Sequence, residues 1–439
     1  MKPFRILITL LITIVAVVCF AQNAWAFCGF YVAKADTKLY NQASQVIIAR
    51  NGSRTILTMA NDYQGDVKDF ALVVPVPVVL QQDQVNVGDP QIIEHLDAFS
   101  APRLVEYFDP DPCNPLMYDR LLSAAPDNTQ GGATRGGGAE DDSALGVTVE
   151  SRFSVGEYDI LILSARESNG LETWLKRNGY RIPKGANQLL RPYIRQNMKF
   201  FVAKVNLEKF EAGGYQFLRP LQMAYESPRF MLPIRLGMVN ATSEQDLIVY
   251  VLSPKGQAEI TNYRTVNVPT DSEIPVFVKN EFSDFYKAMF QTAYTREGKK
   301  VAFREYAWDM GSCDPCSAEP LNPEELKKAG VFWLTPSEPN NVFITRLHVR
   351  YSRDKFPEDL MFQETSNTQQ FQGRYILRHP FNGEMKCQAG REYQRSLMQR
   401  FEQEAQTLAK LTEWKIQDIR KKTNVTSSQT VPWWRTIWP

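Results

Sequence analysis

Residues 45–60 read QVIIARNGSRTILTMA. Two apolar runs, 45–50 and 53–60, flank Asn51-Gly52, and Asn-Gly between such runs is the strongest short-range signal for a β-hairpin. The next apolar stretch, 69–79 (DFALVVPVPVV), has strand composition but carries Pro75 and Pro77. A proline has no ladder donor, so this strand is expected to end there or to lie at a sheet edge. Further strand patterns fall at 147–155, 157–164, 198–205, 215–225, 229–236, 246–252, 301–308 and 342–351.

Helices are announced by their start signals. Asp89-Pro90 precedes Ile92, Ile93, Leu96 and Phe99, and Asn114-Pro115 precedes Leu116, Leu121 and Leu122. An Asp or Asn cap followed by Pro at the first helical position is ordinary helix grammar. Leu171, Trp174 and Leu175 predict a short helix ending at Asn178-Gly179. In 281–296, Phe282, Phe285, Met289 and Ala293 form one stripe, and Tyr286, Phe290 and Tyr294 a second beside it. So wide an apolar face predicts burial between layers. A long charged helix is expected over about 391–422, with a narrow stripe of Leu397, Phe401, Leu408, Leu411 and Ile419 that packs on the body or on a second copy. The fold class is therefore α+β: a β-rich body of antiparallel strands, sandwich-like in its N-terminal part, with several short helices, one buried amphipathic helix and a long C-terminal helix.

The chain opens MKPFRILITLLITIVAVVCFAQNAWA. Lys2 and Arg5, an apolar run from Ile6 to Phe20, and Ala24-Trp25-Ala26 together predict a secretory signal cleaved after Ala26. Export to the periplasm or the extracellular space follows as an expectation. Cleavage leaves 413 residues with 48 basic against 49 acidic side chains. There is no basic excess to recruit nucleic acid or an anionic membrane, and no membrane span is expected in the mature chain. Six regions are predicted: signal peptide 1–26; N-terminal β-rich region 27–122; Gly-rich linker or insertion 123–146; α+β region 147–365; C-terminal extension 366–422; and tail 423–439 with Trp433, Trp434 and Trp438.

Tyr63-Gln-Gly-Asp66 leading to Asp69-Phe-Ala-Leu-Val-Val-Pro75-Val-Pro77 resembles the opening signature of the bacterial "domain of unknown function 2330" family. Trp174-Leu-Lys-Arg-Asn178-Gly179-Tyr180-Arg-Ile-Pro183 resembles its middle block, and Leu232-Pro233-Ile-Arg235-Leu236 a later one. Cys313-Asp-Pro-Cys316 also fits, with Trp308 shortly upstream. Leu72 stands where that family is expected to have Trp. The resemblance covers roughly residues 28 to 365 and implies an exported bacterial protein. It supplies no activity and no catalytic residue.

Five cysteines remain after cleavage removes Cys19: Cys28, Cys113, Cys313, Cys316 and Cys387. In an oxidising compartment cysteines default to disulfides. Cys313 and Cys316 bridge a turn within disulfide reach. A thioredoxin-like role would need a sustained helix starting at the pair, but Pro320 and Pro323 follow almost at once, and Asn322-Pro323-Glu-Glu starts a fresh helix instead. The favoured pairing is Cys28–Cys113 and Cys313–Cys316 with Cys387 spare. A metal site from Cys313, Cys316, Cys387 and His379 lacks the usual ligand spacing, so no metal or other cofactor is expected.

No H-E-x-x-H, G-x-S-x-G or Walker A run occurs. Ser352-Arg-Asp-Lys355 matches S-x-x-K without its companion motifs. Asp62, Asp66 and Asp69 cluster near a turn and are weak candidates for calcium or acid–base work against backbone capping. The function expected is a non-enzymatic binding or scaffolding module of the cell envelope, its partner an unknown protein or envelope component, with self-association through the C-terminal helix. The alternatives are thiol–disulfide redox at Cys313/Cys316, or a metal- or carboxylate-dependent enzyme without a recognisable motif.

Overall fold

The computed structural model describes residues 30–33, 44–60, 70–114, 146–178, 185–214, 218–239, 244–314, 316 and 318–423. Strands and helices are numbered in chain order. A five-stranded antiparallel sheet runs β1 (Phe30–Ala33), β4 (Phe70–Val76), β9 (Lys199–Val205), β8 (Tyr158–Ala165), β7 (Val147–Val155). The larger sheet has nine strands. Its first four are β14 (Arg264–Asn267), β16 (Val301–Asp309), β17 (Phe343–Tyr351) and β12 (Gln245–Ser253). It continues with β2 (Ser44–Asn51), β3 (Arg54–Ala60), β10 (Leu221–Glu226) and β5 (Val85–Val87), while β19 (Phe371–Gln372) also pairs with β16. Two three-stranded sheets complete the body. One is β11 (Met231–Leu232), β18 (Leu360–Glu364), β13 (Ala258–Ile260); the other is β15 (Ser272–Glu273), β20 (Arg374–His379), β6 (Arg103–Phe108).

The hairpin forms, β2 against β3, but Asn51 is already paired opposite Arg54, so the turn lies one residue beyond the Asn51-Gly52 read from the sequence. Its two-residue loop is Gly52-Ser53, and Gly52 takes φ +63°, the left-handed conformation that this first loop position demands. The proline strand is only partly an edge. β1 covers β4 from Phe70 to Val73, and Pro75 lies past the end of that ladder, opposite Phe200 of β9.

Alternation decides the layers. Val46, Ile48, Leu57, Met59, Leu247 and Val249 of the large sheet meet Leu72, Val74, Ile160, Ile162, Phe201 and Ala203 of the small one in the central core. The other face of the five-stranded sheet is covered by α2 (Ser168–Arg177) and α3 (Ala186–Arg195), which bury Leu171, Trp174, Leu190 and Tyr193. The outer face of the nine-stranded sheet is covered by α1 (Pro90–Ser100), α5 (Phe282–Arg296) and α6 (Pro323–Lys328). A short α4 (Leu207–Ala212) follows β9. The fold is α+β, as expected, in four layers.

Several expectations are corrected. The ladders are not all antiparallel: β2–β12, β14–β16, β15–β20 and β6–β20 are parallel. Parallel neighbours need long crossovers, which local periodicity does not reveal. Regions 27–122 and 147–365 contribute strands to both large sheets. The run 229–236 yields only the two-residue β11, followed by a 3-10 turn at Leu236–Val239. The C-terminal helix is broken: α7 (Gln388–Thr412) ends where Glu413 turns left-handed at φ +61°, and α8 (Ile416–Lys422) resumes. Its stripe packs on the body, with Ala405 and Leu408 in the core beside Phe285 and Met289 of α5. The helix expected after Asn114-Pro115, residues 123–145 of the Gly-rich region, and the tail from 424 lie outside the described residues.

Candidate functional site

β17 reads F-I-T-R-L-H-V-R-Y. Leu347, Val349 and Tyr351 enter the central core, so Arg346, His348 and Arg350 point to the helix side. Arg346 and His348 are buried there, and Arg350 is half-buried. Glu305 of β16, only 1% exposed, accepts from Arg346 Nε at 2.6 Å and pairs with His348 Nδ1 at 2.8 Å. The hydroxyl of Tyr286 on α5 also donates to it. His348 Nε2 meets Asp246 Oδ1 at 3.0 Å, and Arg350 clasps both oxygens of Asp246 at 2.7 Å. Arg346 Nη1 reaches Asp97 of α1 at 2.7 Å. The His348 ring stacks on Phe290, centroids 3.9 Å apart.

Both nitrogens of His348 face carboxylates, and only the imidazolium donates from both. Burial opposes that charge, but Glu305 and Asp246 outweigh it and raise the pKa. Burial likewise opposes ionisation of Glu305, yet Arg346 and His348 hold its carboxyl down at about 2. Burial resists the charge on Asp246 too, and His348 and Arg350 draw it well below the carboxylate range. The cluster thus balances Arg346, Arg350 and His348 against Asp97, Glu305 and Asp246. It is internally bonded, buried at Glu305, Arg346 and His348 and reaching solvent at Asp97, a lock of α1 and α5 onto the sheet.

A group whose folded pKa is raised stabilises fully below its unfolded value, about 6.5 for His, and that contribution is lost as pH rises through the folded pKa. The wild-type chain is therefore expected to lose denaturant resistance between about pH 6.5 and the alkaline range. His348→Gln should flatten that slope. Urea midpoints taken across the range check it, and an unchanged slope in the variant would remove His348 as the cause.

A second buried carboxylate, Asp359, pins the 232–236 block. Its Oδ1 accepts from the Tyr193 hydroxyl at 2.6 Å and from the backbone amides of Ile234 and Arg235 at 2.9 and 3.1 Å. Leu232, Ile234 and Leu236 are thereby held in the cores, leaving Met231 and Pro233 on a cleft of about 130 Å³. Pro75, Pro77, Met198 and Tyr225 form its other apolar walls, so the blocks around 69–77 and 232–236 converge on one site. Its polar groups are Gln196, Ser227 and Arg229, and the Arg229 guanidinium donates to the Gln196 side chain. Burial pushes the Tyr225 hydroxyl up to about 12, so it stays protonated. Among the described residues no carboxylate, imidazole or thiol lines the cleft. A larger depression of about 220 Å³ lies beside Ile56 and Phe332, and it is more open and bordered by the Arg54–Glu226 ion pair at 2.8 Å. The smaller cleft is the better-formed candidate.

The expected cysteine pairing is half right in its geometry. Cys313 and Cys316 are bonded, Cys316 exposed and Cys313 half-buried. Cys113, however, pairs with Cys387, Cα atoms 5.8 Å apart, so Cys387 is not spare and Cys113 does not await Cys28. The parallel β6–β20 ladder brings the two ends together, since Cys113 follows β6 and Cys387 follows β20. No sequence spacing signals a bridge across 274 positions. These bonds also consume the thiols of the metal alternative, and the described residues contain no other cluster of His, Cys, Asp and Glu fit for a metal. Cys28, the cleavage site at Ala26, and Asp62, Asp66 and Asp69 lie outside the described residues. Ser352 and Lys355 both engage Asp354 on an exposed turn. His95 bonds Glu325 at 3.0 Å and the Glu319 carbonyl at 2.9 Å, tying α1 to the segment after the cysteine pair. The polar lock was missed, though its trace is visible: three cations at alternate positions of one strand, opposite single acids in its neighbours.

The architecture and cleft define a disulfide-stapled α+β sandwich. The model of a bacterial family described as an uncharacterized protein conserved in bacteria (DUF2330) matches residues 22–363, and the chain belongs to that family. No helix among the described residues is long and apolar enough to cross a membrane. No curated protein matches the chain, and no solved structure does. The matched region stops before β20, α7 and α8, yet these elements are bonded into the body through β6 and Cys113.

Proposed function

We propose that this chain is an exported cell-envelope protein that works as a non-enzymatic binding module, taking one or two apolar side chains of a protein partner into the proline-walled cleft. The cleft carries the reading. Its volume is below the roughly 300–1,000 Å³ of small-molecule pockets and suits an anchor side chain. Prolines make its walls rigid, methionines make them adaptable, and its polar groups bind rather than react. Arg229 at the rim favours an acidic neighbour beside the anchor. The N-terminal signal pattern and two closed disulfides support export, because such bonds persist in oxidising compartments.

The test is a photo-crosslinking residue at position 229 in the producing bacterium, with position 399 on the exposed side of α7 as control. An adduct of defined mass is expected at 229, reduced about ten-fold or more by Met231→Glu, the loss of one modest hot spot. Equal adducts at both positions would overturn the cleft. Thiol trapping on the same cells checks the compartment: Phe27 at the mature N-terminus and all four described cysteines oxidised are expected. A reduced chain still bearing Met1 would end the export reading. The exposure of Cys316 favours thiol redox as the second reading, and trapping that finds only Cys313 and Cys316 reduced would promote it.

A further inference from the structure

The C-terminal helix is held by unlike devices along its length. In its C-terminal half Ala405 and Leu408 are buried against α5. From Gln388 to Gln399 only Gly390 is buried, and Met398 is 44% exposed. That half buries almost no apolar surface, so hydrophobic packing does not keep it on the body. Three polar contacts do: Tyr393 and Arg400 both donate to Asp109, Arg400 Nη1 at 2.6 Å, and the Tyr393 hydroxyl accepts from the Phe381 amide at 2.9 Å. The covalent contact is the Cys113–Cys387 bond at the helix start, where Cys387 Sγ also accepts from the Gly390 amide at 3.1 Å. Gly390 is required there, since a Cβ would sit 2.7 Å from Met385 and 3.2 Å from Cys113 Sγ.

Between the two halves lies Glu404, 2% exposed. It faces Arg400 on its own helix, Nε to Oε1 at 3.4 Å, with Asp109 after β6, Arg378 of β20 and Glu273 of β15 around it. Glu404 Oε1 and the Nε and Nη2 atoms of Arg400 are buried without hydrogen-bond partners. When Glu404 is ionised the group holds three acids against two arginines; when it is protonated the charges balance. Burial is the largest cause pushing its carboxyl up, to about 7.

We infer that residues 387–400 form a strap released from the body when the Cys113–Cys387 disulfide is reduced, and that ionisation of Glu404 determines how far release goes. A dithiol reductant would supply the two electrons and two protons: the protein S–S bond breaks, two cysteine thiols form, and the reductant closes to its own disulfide. Beyond the cleft reading, this is a conformational device of the C-terminal extension, and it stands or falls independently of what the cleft binds.

The test is hydrogen exchange on the full chain carrying Cys313→Ser and Cys316→Ser, so that dithiothreitol acts on one bond alone. After correction for intrinsic rates, the 388–400 amides of the reduced chain are expected within about ten-fold of free-peptide exchange at pH 8, while β12 amides stay at least about 100-fold protected. At pH 6 the strap should regain about ten-fold of its protection, and Glu404→Gln should give at least that pH 6 value at pH 8 and remove the pH response. Unchanged protection of 388–400 on reduction would overturn the strap. So would loss of β12 protection to the same level, which makes the bond a global staple. A pH response that persists in Glu404→Gln would remove Glu404 from the device.

Discussion

Glu305→Ala is expected to cost about 3–5 kcal/mol of folding stability, the scale for breaking a buried ion pair on one side. Glu305 is fully enclosed between β16, β17 and α5, and it neutralises Arg346 and His348 together. Its loss leaves two buried cations with one acid each, Asp97 for Arg346 and Asp246 for His348, and orphans the Tyr286 hydroxyl. A cavity is added to the desolvation penalty. The contrast is Glu226→Ala, which breaks the solvent-exposed pair with Arg54 and should cost under about 1 kcal/mol. Urea unfolding of both variants at pH 6 decides it. Similar, small losses would mean that the lock contributes specificity and not stability.

Removal of the long disulfide comes next in size. Cys113→Ser with Cys387→Ser opens a covalent loop spanning 274 positions. Chain entropy alone puts the loss near 5–6 kcal/mol, and native disulfides commonly deliver about 2–5. Cys313→Ser with Cys316→Ser opens a loop of separation 3, for which the same scaling gives only about 2 kcal/mol. The order of the two losses, measured by denaturant midpoint under non-reducing conditions, is the prediction. A short-loop variant that loses more would show that the 313–316 turn organises the segment leading to α6, not merely its own backbone. The long-loop loss lives mainly in the unfolded chain, so it coexists with a strap that lifts locally from an intact body.

Local elements were legible because their causes are local. The Asn51-Gly52 hairpin, the Asp89-Pro90 cap with Asp89 accepting from the Gln91 amide, the Asn322–Glu325 capping box, and the wide face of α5 each follow from residues within a few positions of one another. The candidate site was half legible. The blocks around 69–77 and 232–236 stood out by composition and by family resemblance, but that they form two walls of one cleft follows from β4 and β11 meeting in three dimensions.

Sequence alone determined the class of the fold, the hairpin, the helix starts at Asp89-Pro90 and Asn322-Pro323 and the closure of the short cysteine turn, since periodicity, caps and reach act over a few residues. Tertiary structure alone decided which face of β17 is buried, which thiol Cys113 finds, and where the parallel strands lie. The physical reason is one of range. An alternation of Arg346, His348 and Arg350 is compatible with water or with Glu305 and Asp246, and only the packing of α5 over the strand excludes the water. Cys113 and Cys387 meet because β6 and β20 run side by side, a pairing held by ladder bonds whose two strands carry no mark of each other.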